Sequence, residues 1–68
     1  MEYCYIAVYG AKNIFLGYIE SIDYQKNIFN TTKDKNKARQ YQCDGSSTAY
    51  DLKFLRQLNK DCTYDYIF

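Results

Sequence analysis

Tyr3, Tyr5 and Tyr9 occupy odd positions of one short run, and Tyr64 and Tyr66 repeat that spacing near the far end of the chain. A phenol ring offers a broad apolar surface plus one hydroxyl that needs water or a partner, so rings in this arrangement suit recognition by contact. Nine tyrosines and four phenylalanines stand in 68 residues that contain no proline, tryptophan or histidine. That is more ring area than so small a core can enclose, and some of it must lie at the surface.

The other reactive side chains are less suited to chemistry. Cys4, Cys43 and Cys62 have no histidine to act as base, so a thiol–imidazole nucleophile cannot be built from this chain. Their wide, irregular spacing lacks the paired short intervals of a structural zinc site. Cys4 and Cys62 read as small buried apolar residues of strands, and Cys43 stands in a loop beside Asp44. Asp34 and Asp44 suit capping and turn roles, since neither lies in a loop of alternating oxygen ligands. The isolated glycines Gly10, Gly17 and Gly45 form no phosphate cradle, and each marks a turn or a close backbone approach. No catalytic constellation, cofactor motif or metal-ligand set is present, and the chain is not expected to be an enzyme.

Lys33, Lys35, Lys37 and Arg39 place four cations within seven positions. Alternate residues of a helix spread around its cylinder, so the run reads as a solvated surface or an electrostatic rim and not as a concentrated stripe. The formal net charge of +1, nine basic against eight acidic residues, supplies no field for gathering nucleic acid or an anionic membrane. The acids are scattered, which excludes mimicry of a phosphate backbone. No apolar stretch reaches the roughly 18–20 residues a bilayer crossing needs.

The elements that must position these residues follow from periodicity. Tyr3–Tyr9 alternates as a strand, with Cys4, Ile6 and Val8 on one side and the tyrosines on the other. Gly10–Asn13 turns the chain into a return strand, Ile14–Ile22, which is apolar on both faces and is expected to be central. After a polar turn, Ile28–Thr31 suits a third strand at the margin. Thr32, Lys33 and Asp34 are expected to cap a short helix from about Lys35 to Tyr41. Ser46 or Ser47 is expected to cap a second helix, with Ala49, Leu52, Leu55 and Leu58 facing inward beside Tyr50 and Phe54. Residues 62–68 alternate again as a last strand. The order β-β-β-α-α-β implies a single α+β domain over residues 1–68, whose three- to four-stranded, mainly antiparallel sheet carries two helices on one face. Tyr3, Tyr5 and Tyr9 then lie on the open face, joined by Tyr64 and Tyr66 if the last strand pairs with the first.

Ile28 through Asp34, the Ala38-Arg39-Gln40-Tyr41 segment, Ser47-x-Ala49 and Leu52-x-x-Leu55-x-x-Leu58 together resemble a pattern in small uncharacterised proteins of phages and mobile elements of low-GC Gram-positive bacteria. The resemblance covers about half the chain, and the Lys-, Asn-, Ile- and Tyr-rich composition agrees with such a source. It implies a role in host takeover or in inhibiting a bacterial defence system, as anti-CRISPR proteins do, by occluding a surface in the host cytoplasm. Reduced thiols agree with that compartment. The expected partner is a host protein or protein–nucleic acid complex, contacted by Tyr3, Tyr5, Tyr9, Tyr64 and Tyr66, with Lys33, Lys35, Lys37 and Arg39 as the rim. Two other readings stand beside it. The rings could stack single-stranded bases, or the chain could self-associate through a strand edge, as a homodimer for example.

Overall fold

The computed structural model describes residues 3–67. Five strands and one helix are present among them: β1 (Tyr3–Tyr9), β2 (Phe15–Asp23), β3 (Ile28–Thr32), β4 (Tyr41–Gln42), α1 (Ser46–Leu58) and β5 (Thr63–Ile67). The α+β class and the antiparallel pairing are as the pattern predicts. The layout differs in three respects.

First, β1 is the hub of the sheet. It pairs antiparallel with β2, β4 and β5, while β3 adds to the far side of β2. Its covered side carries Cys4, Ile6 and Val8, all essentially without solvent contact. These residues meet Ile19, Tyr41, Leu52, Leu55 and Tyr64 in a single apolar core. β2 does have a neighbour on each edge, β1 and β3, as expected of a central strand, but β1 carries more partners, and the apolar residues on both faces of β2 have another cause, described below.

Second, there is no helix over Lys35–Tyr41. Lys35–Lys37 forms one 3-10 turn, with the Asp34 carboxylate accepting from the Asn36 amide at 3.0 Å, so the expected cap closes only that turn. Ala38 is already extended, and the Arg39 amide donates to the Ile19 carbonyl at 2.9 Å. Tyr41 and Gln42 then pair with Cys4 and Tyr3. A bond to β2 and a place on β1 outweigh a helix too short to hold itself together.

Third, the inward face of α1 is rotated from the predicted one. Thr48, Asp51, Leu52 and Leu55 are buried, while Ala49 is exposed. A strict three-residue repeat drifts around a helix that turns about 100° per residue, which places Ala49 and Leu58 on opposite sides. Neither serine caps the helix. Gly45 occupies the cap position without a side-chain bond, and the Thr48 hydroxyl donates to the Gln42 carbonyl, tying the first turn of α1 to β4.

Two bulges shape β2. The register runs Ala7–Tyr18, Val8–Gly17, Tyr9–Phe15, leaving Leu16 as an extra residue, and then Ile19–Thr31, Ser21–Asn30, leaving Glu20 as another. Each extra residue reverses which parity points inward. Ile19 and Ile22, three apart, therefore both reach the core side, while Phe15 and Tyr18, also three apart, both face the opposite side. The two-faced apolarity of this strand is the product of the bulges. Gly17 permits the first one, at φ 144, where a Cβ would stand 3.0 Å from the Thr32 carbonyl oxygen and 3.2 Å from Thr31 Cβ. Gly17→Ala is expected to destabilise the domain by about 1–3 kcal/mol, through backbone strain and the close approach to β3. Urea unfolding followed by circular dichroism measures it, and a midpoint unchanged from the parent would contradict the role given to this glycine.

Candidate functional site

The face that α1 leaves bare carries a band of four rings. Tyr5 and Tyr18 have centroids 6.1 Å apart, Phe15 and Tyr18 5.1 Å, and Tyr9 and Phe15 5.7 Å, with interplanar angles of 58°, 67° and 57°. Tilted and edge-to-face pairs of this kind set the positive edge of one ring against the negative face of the next, and contribute about 0.5–1.5 kcal/mol each beyond burial. Ala7 lies among them, fully buried, its small side chain leaving room for the rings to close over the centre of β1. The segment after β3 borders this band. The Lys35 ammonium sits 5.1 Å from the Tyr5 ring centroid, and the Gln40 side-chain amide donates to the Tyr5 hydroxyl at 3.4 Å.

The structure therefore brings together Tyr5, Tyr9 and Lys35 of the residues singled out from the sequence, and adds Phe15 and Tyr18. Tyr3 falls on the same side by alternation, opposite Gln42, and is half exposed. Tyr64 and Tyr66 do not join them. β5 does pair with β1, the condition set for their joining, but in the register Tyr64–Val8 and Tyr66–Ile6, which puts both on the side facing the helix. Tyr64 is 1% exposed, with its hydroxyl donating to the Asn59 carbonyl at 3.3 Å, so it is a core residue, whereas Tyr66 is exposed. The cationic run is divided as well. Lys35 reaches the ring band, Arg39 turns to the helix side, and Lys33 and Lys37 are exposed. Phe15 and Tyr18 were hidden from pattern reading because a period-2 count passes straight through a bulge. The signal was Gly17, a lone glycine within an apolar strand.

Behind the sheet, one buried carboxylate gathers three elements. Asp51 of α1, 1% exposed, accepts from the Tyr24 hydroxyl at 2.5 Å through Oδ1 and from the Tyr41 hydroxyl at 2.8 Å through Oδ2, with an Arg39 guanidinium nitrogen 3.5 Å from Oδ2. Arg39 also lies over the Tyr41 ring, 5.1 Å from its centroid. The charge is thus compensated by two hydroxyl donors and a cation, as a buried carboxylate requires. Burial, and then the hydrogen bond to Asp51 and its negative charge, push the Tyr41 phenol far above its ordinary range, with Arg39 opposing. Burial and Asp51 also raise Tyr24.

The cysteines are packing residues. Cys4 belongs to the core, Cys43 and Cys62 pack against it, and all three are free thiols. Burial, followed by the neighbouring Cys43 thiol, pushes Cys4 up to about 11, a poor setting for a nucleophile at neutral pH. Among the described residues no cluster of three or more Cys, Asp or Glu side chains comes together in a form that could hold a metal ion, and no helix is long and apolar enough to cross a membrane. No family model, curated protein or solved structure matches this chain.

Removing this carboxylate, by Asp51→Ala, strands the buried Tyr41 hydroxyl, frees that of Tyr24 and is expected to destabilise the fold by about 2–4 kcal/mol in urea titrations. The protonated phenols and thiol of the core also set an alkaline limit. Tyr41, Tyr64 (pushed up to about 12 by burial and then Cys62) and Cys4 all bind their protons more tightly folded than unfolded. Their contribution is complete below the unfolded values of 9.0 for cysteine and 10.0 for tyrosine, and is lost as pH rises towards the folded ones. Unfolding free energy should be flat from neutral pH to about 9 and then fall, each group adding a slope approaching about 1.4 kcal/mol per pH unit. Tyr41→Phe should make that decline shallower, and an equally steep decline would refute the assignment.

Proposed function

We propose that this chain is a non-enzymatic binding protein that acts by direct contact with another protein, through the ring band of Tyr5, Tyr9, Phe15 and Tyr18. The observation that carries this reading is the band itself, four rings packed edge to face on the side of the sheet that the helix leaves uncovered. Rings held by one another have little rotamer freedom left to lose on docking, so their contact area translates efficiently into affinity. Tyrosine and phenylalanine are favoured at interface centres, and Lys35 and Gln40 supply a polar margin next to Tyr5. Taken with the resemblance to small phage and mobile-element proteins, the target is a host defence or nucleic-acid-processing protein, whose surface is occluded in the manner of an anti-CRISPR.

Stacking of single-stranded bases is the second reading, favoured by the Lys35 ammonium beside Tyr5. The tilt of the rings weighs against it. A run of bases needs faces presented in succession, whereas rings inclined by 57° to 67° present edges to their neighbours. The division of the cationic run between the two sides of the sheet also leaves few phosphate contacts near the band.

The test is affinity capture from a low-GC Gram-positive lysate with three baits: the parent chain, Tyr5→Ala/Phe15→Ala, and Lys26→Ala, a change at the exposed β2–β3 turn. A protein held by the parent and the Lys26 variant but weakened about 30-fold or more by the double substitution, at unchanged circular dichroism, is the expected result. Retention by the double variant excludes the ring band. Tight binding of a fluorescent oligo-dT at low salt, falling steeply as salt is added, would replace the protein partner with a nucleic acid.

A further inference from the structure

On the side of the molecule away from the ring band, a second apolar surface runs along α1. Tyr24, from the β2–β3 turn, packs against Tyr50 at 6.0 Å and Phe54 at 5.2 Å between centroids. Below this junction lie three depressions of about 270, 240 and 330 Å³ that share lining residues: Phe54 and Gln57 connect the first to the second, and Asn27 and Leu58 connect the second to the third. They form one groove between the C-terminal half of the helix and the β2–β3 hairpin, ending at Ile28 and Phe29. Tyr50 is 61% exposed and Ile28 51%, a large apolar area for a chain with so little surface to hide it.

The groove's electrostatics are one-sided. Lys53 lines it, Arg56 and Lys60 stand exposed three and seven residues further on, and none of these cations has an acidic partner among the described residues. The one acid of the helix, Asp51, is buried and already matched by Arg39. Positive charge beside an apolar floor is complementary to a segment that carries both carboxylates and apolar side chains. The side-chain amides of Asn27 and Gln57 at the groove's middle can each donate to and accept from an extended backbone. Aliphatic and aromatic side chains along an open groove, with only one lysine directly in it, suit a peptide better than a polyanion, whose affinity depends on many phosphate contacts.

We propose that this groove binds an acidic, apolar peptide segment of a partner protein, with Lys53 and Arg56 reading its carboxylates and Phe54 and Leu58 its apolar side chains. The contact is separate from the ring band and lies on the opposite side of the sheet. Selection from a displayed library of random twelve-residue peptides on the immobilised chain tests it. Aspartate or glutamate interspersed with leucine, isoleucine or phenylalanine should be enriched, and a synthetic peptide of the enriched sequence should shift the amide resonances of Asn27, Lys53, Gln57 and Leu58. Lys53→Glu/Arg56→Glu exchanges two exposed side chains and should leave the circular dichroism unchanged while weakening that peptide at least tenfold. A neutral or basic consensus, resonance shifts confined to β1 and β2, or affinity untouched by the charge reversal would overturn the proposal. Shifts of the same groove amides by oligo-dT, with none by the acidic peptide, would overturn it in favour of a nucleic acid.

Discussion

A single carboxylate without solvent contact holds the two layers of this domain in register. Asp51 is in the second turn of α1, Tyr24 closes the β2–β3 hairpin, and Tyr41 and Arg39 belong to the stretch that enters β4. Side chains from three separate elements converge on two oxygen atoms. An apolar contact would tolerate sliding, because dispersion has no preferred direction, whereas a carboxylate accepts along its lone pairs and fixes where each donor must stand. Where the α-helix among the described residues runs only from Ser46 to Leu58, that directional constraint does what a larger core does in longer proteins. It also explains why the segment after β3 stays extended: Arg39 and Tyr41 can reach the same carboxylate only if the chain lies flat between them.

The same segment divides its cations between two surfaces. Lys35 leans over Tyr5 on the open side of the sheet, and four residues later Arg39 serves Asp51 on the closed side. With bulges in β2 sending Ile19 and Ile22 one way and Phe15 and Tyr18 the other, one strand furnishes both the core and the exposed ring band. The two proposed contact surfaces thus differ in construction. One is a preassembled aromatic plate. The other is a groove between helix and hairpin with unpaired positive charge on its helical bank.

How much of this was legible in the residues depended on whether a regular period governed them. β1 could be read from strict alternation, and its inward set of Cys4, Ile6 and Val8 is the set the structure buries. The last strand itself was legible, but its partner could be raised only as a condition and its phase not at all: the alternating pattern admits either Thr63 or Tyr64 facing inward. The bulged strand defeated a period-2 count at Leu16 and again at Glu20. The supposed helix at Lys35–Tyr41 failed because local propensity was weaker than two long-range bonds. Asp51 escaped notice for a different reason: a charged residue within an amphipathic helix reads as solvent-facing unless its donors, 10, 12 and 27 residues away, can be foreseen.

The pairing of β1 with β5 joins residues 5–9 to residues 63–67, so the hub strand takes one of its neighbours from almost the opposite end of the covalent order. During synthesis β1, β2 and β3 can assemble early as a meander. The second edge of β1 remains open until Tyr64, whose ring completes the core, has been made. Closing so distant a contact is slow compared with forming a hairpin. The sheet is therefore completed late, after Thr63–Ile67 has been made, and a nascent chain stalled before that point would present an unfinished sheet edge to the quality-control machinery of the cell.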